Sequence, residues 1–194
     1  WPRCDEAMAY IMFASKPLWI NFVLWHIPNH SLLFDALNNG VYALFGPKEW
    51  AMRLIPLLCG IVTPWCCYYI GKKILNSRLI GVISGLITVF TPLLIQYSVD
   101  GRAYTLSAVL CCCWVVVTLK LLDKFTFKLA LYYALLSIGL VLLLSSTVPI
   151  LISGILYLGI SYAVQKKWSE LRAFIQVNIM IGYSIFLVYF IPLI

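Results

Sequence analysis

Two runs, LIGVISGLITVFTPLLI over 79–95 and TLSAVLCCCWVVVTL over 105–119, carry no charged side chain, and one polar cluster, QYSVDGRAY at 96–104, separates them. Backbone polar groups in hydrocarbon must bond internally, and about 17 apolar residues are enough for a helix to cross it. The runs therefore specify spanning helices, and the cluster leaves Asp100 and Arg102 at the bilayer rim, where ionisable groups are tolerated and often functional. Similar runs place further spans, giving a set at about 52–71, 79–97, 103–119, 129–145, 148–164 and 173–194. The fourth and fifth meet at Ser145, Ser146, Thr147 and Pro149, as a tight hairpin or a pair of tilted helices. Composition agrees: the chain is 63% hydrophobic and 11% charged, with a mean hydropathy of +0.96. That is too little polar surface to solvate a globule of 194 residues. The expected fold is all-α, a polytopic transmembrane helical bundle.

Residues 1–50 read differently from residues 51–194. The run from Ala7 to Trp25 is interrupted by Lys16 and Pro17, and a lysine near a span centre costs about 2.5–3.5 kcal/mol on insertion scales. The segment is expected to be an external loop with amphipathic interfacial helices. Asn29, His30 and Ser31 supply N-cap chemistry for SLLFDAL, and Asn38, Asn39 and Gly40 read as a break before a second short helix ending at Gly46 and Pro47. Residues 51–194 are expected to hold about six spans. WPRCDEAMAY has two acids where a cleavable signal needs an apolar stretch. The chain is expected to be a fragment with a span missing upstream.

Charge sets the expected orientation. Nine Lys and Arg, including Lys72, Lys73, Lys166 and Lys167, share alternate connections with only Asp123 and Glu170. The remaining connections hold five cations and five acids, among them Asp5, Glu6, Asp35, Glu49 and Asp100. The positive-inside rule makes the first set cytoplasmic and the second external. The formal charge of +7 does not imply nucleic acid, because the basic residues lie between apolar spans with no basic run interleaved with exposed aromatics. Of the seven cysteines, all but Cys4 fall inside apolar runs and read as small hydrophobes, with neither metal-type pairs nor a disulfide framework.

The candidate functional residues gather on the external side. Asp5 and Glu6 are either a general base for an acceptor hydroxyl or interfacial solubilising charges. Arg53 and Arg102 each stand near the start of a span, where a guanidinium fork suits a phosphate headgroup or simply snorkels. His30 either contacts substrate or caps a helix. Asp100 binds sugar or pairs with Arg102. Trp50, Tyr97 and Tyr104 suit an interfacial aromatic belt.

DEAMAY at 5–10, PNHSLL at 28–33, FGPKEWAMRLIP at 45–56 and QYSVDGRAYTL at 96–106, in that order and all on one side, resemble the N-terminal membrane half of GT-C glycosyltransferases. The group includes the protein O-mannosyltransferases, the aminoarabinose transferases and the Rgt-like enzymes. The resemblance implies a catalytic carboxylate at Asp5, with Glu6 as an orienting or acceptor-side group, and substrate contacts from His30, Arg53, Tyr97, Asp100, Arg102 and Tyr104. It implies an inverting transfer from a polyprenyl-phosphate-linked sugar donor to a glycan, lipid or protein acceptor; with the charge asymmetry, the expected setting is a bacterial inner membrane with the site facing the periplasm, lumen or exterior. It designates no protein metal ligand and leaves help from a divalent cation open. Ser31, Ile55 and Gly101 depart from the family pattern, which bears on the subgroup. A transporter or lipid flippase is the competing reading. Against it, the spans at 52–71, 79–97 and 103–119 lack ionisable residues in their middles.

Overall fold

The computed structural model describes residues 11, 15–17, 31–46 and 48–190. These residues are all-α, without strands, and divide by contacts into two compact units, Trp1–Cys112 and Cys113–Ile194. In chain order the helices are α1 (Leu32–Phe45), α2 (Glu49–Leu75), α3 (Arg78–Phe90), α4 (Pro92–Ser98), α5 (Tyr104–Asp123), α6 (Phe127–Leu143), α7 (Val148–Val164) and α8 (Trp168–Phe190), with a 3₁₀ turn at Ser145–Thr147. The unit boundary falls within α5. Four segments are long and apolar enough to cross a membrane: α2, α5, α8 up to Val188, and α7 taken with the turn before it. The α3–α4 pair is apolar enough when taken together to be a broken span or a re-entrant loop, and α6 is a shorter apolar helix.

In the first unit α2 packs on α3 through small residues. A Cβ added at Gly81 would lie 2.8 Å from the Tyr68 carbonyl oxygen, and one at Gly71 would lie 2.6 Å from Ser84 Oγ. Backbones this close need glycine, and Gly81 and Gly85 form the GxxxG spacing that allows such approach between membrane helices. The hydroxyls at this interface are satisfied within their own helices: Thr63 donates to Cys59 O at 2.7 Å, Ser84 to Ile80 O and Thr88 to Ser84 O, each at 2.8 Å. Bonding of this kind lets polar side chains sit in an apolar span. Ile61, Trp65, Ile87 and Phe90 project outward as exposed apolar groups.

Two expectations for this unit are corrected. The span expected over 79–97 is broken, because α3 stops at Phe90 and α4 starts at Pro92 with a bend of 64°. Proline lacks the N–H that would continue the ladder and disfavours helical backbone at the residue before it. Thr91 accordingly adopts extended backbone, with φ −75° and ψ 111°. The break expected at Asn38, Asn39 and Gly40 does not occur, and α1 runs through all three. Asn38 is buried, and Asn39 Nδ2 donates to Lys16 O at 2.6 Å, so tertiary contacts override the weak local propensity.

The second unit has a buried aromatic centre. Trp114 of α5 is 2% exposed, and its indole N–H donates to Ser137 Oγ of α6 at 2.9 Å. Ser137 in turn donates to Tyr133 O at 2.7 Å. Tyr162 of α7 donates to Leu121 O at 2.6 Å, and its ring meets Phe174 of α8 edge-on at 5.9 Å. Phe174 also packs against Tyr133 at 5.7 Å. The Trp114 ring lies directly over Gly154, where no side chain could fit without displacement.

Candidate active site

The segment from Gln96 to Tyr104 links α4 to α5. Its backbone is folded tightly, with Val99 N–H donating to Gln96 O at 3.3 Å and Arg102 N–H to Asp100 O at 2.7 Å. Gly101 and Ala103 are buried, and small residues are what so compact a loop can enclose. Asp100 is also buried, at 7% exposure. Tyr97 at the end of α4 and Tyr104 at the start of α5 stack with ring centroids 4.4 Å apart. Arg102 lies between them in sequence and donates from Nη1 to Tyr104 Oη at 3.2 Å. The aromatic pair and the guanidinium thus form one platform at the mouth of the α4–α5 connection.

Sequence reasoning counted Asp35 only as one acid in a charge tally. The structure places it on the buried face of α1 with Phe34 and Asn38, at 3% exposure. Ser31 does not cap α1 through its side chain; instead Asp35 reaches back, and its Oδ2 accepts the Ser31 N–H at 3.1 Å. Burial pushes the Asp35 carboxyl up from 3.8 to about 7, against the opposing pulls of the Ser31 hydrogen bond and the Arg102 charge. Burial is therefore the dominant influence on this carboxyl. A helical projection of 31–42 could have flagged it, since an acid there shares a face with Phe34 and Asn38.

Arg53 sits half-buried near the start of α2, which packs against α1. The structure therefore brings Tyr97, Arg102 and Tyr104 together, and ties Asp100 to Arg102 through the backbone. Asp5, Glu6 and His30 lie outside the described residues. Among the described residues no cluster of three or more His, Cys, Asp or Glu side chains is placed to hold a metal ion.

Beside the loop, an apolar cleft of about 350 Å³ opens between α2 and the broken α3–α4 pair. Leu57, Ile61, Trp65 and Ile95 line it, and Ser98 and Thr105, which flank the polar loop, border it. Thr105 is fully buried and donates to Pro56 O at 3.1 Å, fixing the first turn of α5 against α2. The apolar cleft thus ends at Ser98 and Thr105, the two ends of the loop that carries Arg102 and the Tyr97–Tyr104 pair. Such a set suits a ligand with a long apolar chain and an anionic head.

The family model described as dolichyl-phosphate-mannose-protein mannosyltransferase matches residues 29–194. No curated protein and no solved structure matches the chain.

Proposed function

Because the chain belongs to the dolichyl-phosphate-mannose-protein mannosyltransferase family, and is thereby an integral-membrane glycosyltransferase drawing on a lipid-linked sugar donor, we propose that it transfers the sugar at the external face of the membrane. The donor is a polyprenyl-phosphate sugar and the acceptor a hydroxyl of a glycan, lipid or protein. In a bacterium that face is the periplasmic side of the inner membrane, an assignment supported by the charge asymmetry of the connections.

The observation that carries the proposal is Arg102, held by Tyr104 at 3.2 Å on the aromatic platform, in the loop whose flanking residues Ser98 and Thr105 border the apolar cleft. The cleft takes the first units of the polyprenyl chain, and the guanidinium meets the phosphate, offsetting the charge that grows on it as the sugar departs. Arg53 and His30 serve as further contacts to the donor, and Asp100, Tyr97 and Tyr104 shape the sugar-side wall. The resemblance supports Asp5 as the base. Its carboxylate takes the acceptor O–H proton, the acceptor oxygen bonds to the anomeric carbon, and the bond from that carbon to the phosphate oxygen breaks with inversion. The polyprenyl phosphate leaves as a monoester. The resemblance leaves Glu6 an orienting or acceptor-side role.

The test uses the chain reconstituted in lipid nanodiscs with a short polyprenyl phosphoryl mannose. Asp5→Asn keeps size and hydrogen bonding but cannot accept the proton, and should abolish turnover while donor binding persists; Glu6→Gln should do less harm. Donor binding should fall from parent to Arg102→Lys to Arg102→Ala, since lysine keeps the charge and loses the fork. Normal transfer by Asp5→Asn would remove it as base, and unchanged binding by both Arg102 variants would leave that residue a lipid-facing anchor.

A further inference from the structure

The loop that carries Arg102 is seated on α2 at both of its ends. At one end Thr105, 1% exposed, donates from Oγ1 to Pro56 O at 3.1 Å. At the other, Ser98 lies so close over Gly60 that a Cβ added there would overlap the Ser98 Cβ. We propose that Gly60 and Thr105 are positioning residues of the donor site: α2 holds the two ends of the loop at a set separation, and that separation places the Arg102 guanidinium for the donor phosphate. The inference rests on the reading of Arg102 as the phosphate ligand.

Pro56 and Gly60 are four residues apart in α2, about one turn of helix, so they lie on the same side and about 6 Å apart along its axis. The residues they hold, Thr105 and Ser98, are the direct neighbours of Tyr104 and Tyr97. Those two rings stack with centroids 4.4 Å apart. Tyr104 in turn holds Arg102, through the 3.2 Å hydrogen bond from Nη1 to Oη. A chain of bonded neighbours and short contacts thus runs from α2 to the guanidinium. The same contacts shape the end of the apolar cleft, which Gly60, Ser98 and Thr105 all line.

Each seat fails in its own way. Ser98 is held to its helix by the bond from Oγ to Ile95 O at 2.7 Å, and the carbon that a methyl group at position 60 meets adjoins the backbone. The methyl group therefore moves the end of α4 by about 1 Å before the two carbons reach ordinary contact. Tyr97 moves with it, and the stack beside Arg102 opens. Removing the Thr105 hydroxyl overpacks nothing; it releases the first turn of α5 from Pro56 and so loosens the Tyr104 side of the same stack. A bond from a guanidinium to a phosphate is directional, and either shift turns it away from the phosphate.

The probe is the same short polyprenyl phosphoryl mannose, titrated by calorimetry into the chain in nanodiscs, which gives Kd and the number of binding sites separately. Gly60→Ala should raise Kd about tenfold or more with the number of sites unchanged, the loss expected when one charge-assisted hydrogen bond is misdirected. Ser98→Gly removes the carbon that the new methyl group meets. The double variant of Gly60→Ala with Ser98→Gly should therefore bind within about twofold of Ser98→Gly alone. Thr105→Val should raise Kd about three- to tenfold, and Thr105→Ser, which keeps the hydroxyl, should bind like the parent. A purely structural defect lowers the number of competent sites and leaves Kd where it was; that result, or a Gly60→Ala defect that Ser98→Gly does not relieve, overturns the proposal. Should Gly60→Ala fail to fold, the Thr105 variants decide: parental Kd in Thr105→Val overturns the proposal, and a raised Kd restored by Thr105→Ser supports it. Arg102→Ala separates the two readings. If it binds the probe like the parent, the phosphate-ligand assignment fails and the positioning role with it; if it loses binding while Gly60→Ala and Thr105→Val both bind like the parent, only the positioning role fails.

Discussion

Replacing Gly154 by alanine puts a methyl group where the Trp114 ring lies. The ring has little room to retreat. It is 2% exposed, its N–H is held by Ser137 Oγ at 2.9 Å, and Tyr133 stacks nearby with centroids 5.6 Å apart. Overpacking a tight core costs about 1–3 kcal/mol, and pulling the indole off Ser137 adds about 1 kcal/mol. Alanine returns up to about 1 kcal/mol through helix propensity. The net expectation is a loss of about 1–3 kcal/mol, read by equilibrium unfolding in mixed lipid–detergent micelles. Gly159 and Gly182 are internal controls, because an added Cβ meets nothing within 4 Å at either; alanine there should be neutral or slightly stabilising. The double variant Trp114→Phe with Gly154→Ala supplies the coupling. The smaller ring makes room, so Gly154→Ala should become nearly neutral in that background, a non-additivity of at least about 1 kcal/mol. Additivity within about 0.5 kcal/mol, or a Gly154→Ala cost no greater than that of Gly159→Ala, would refute the packing argument.

Two further outcomes are expected. Because Asp35 binds its proton up to about 7 when folded and its ordinary value is 3.8, unfolding releases a proton between those values. Stability should therefore fall as the pH rises from about 4 to about 7 and level off above, by at most about 4 kcal/mol; Asp35→Asn should remove that component of the unfolding profile. In a background lacking native cysteines, membrane-impermeant thiol labelling from the external side should modify a cysteine at position 99, the exposed neighbour of Asp100, and spare one at 72, and the reverse pattern would sink the orientation and the proposed site together.

The apolar runs at 79–95 and 105–119 declared a helical membrane protein because hydropathy over a long window depends on composition alone. The same window read through Thr91 and Pro92, since an apolar proline counts toward hydropathy while its missing N–H ends the helix. The GxxxG of Gly81 and Gly85 was present to be read, yet only the approach of α2 gives the spacing its meaning. At Asn38, Asn39 and Gly40 the error ran the other way: turn propensity is local, and the burial of Asn38 and the bond from Asn39 to Lys16 are not. In the candidate site, Tyr97, Asp100, Arg102 and Tyr104 announced themselves as a polar interruption between apolar runs. Asp35 did not, because one acid inside an amphipathic segment is unremarkable until folding buries it.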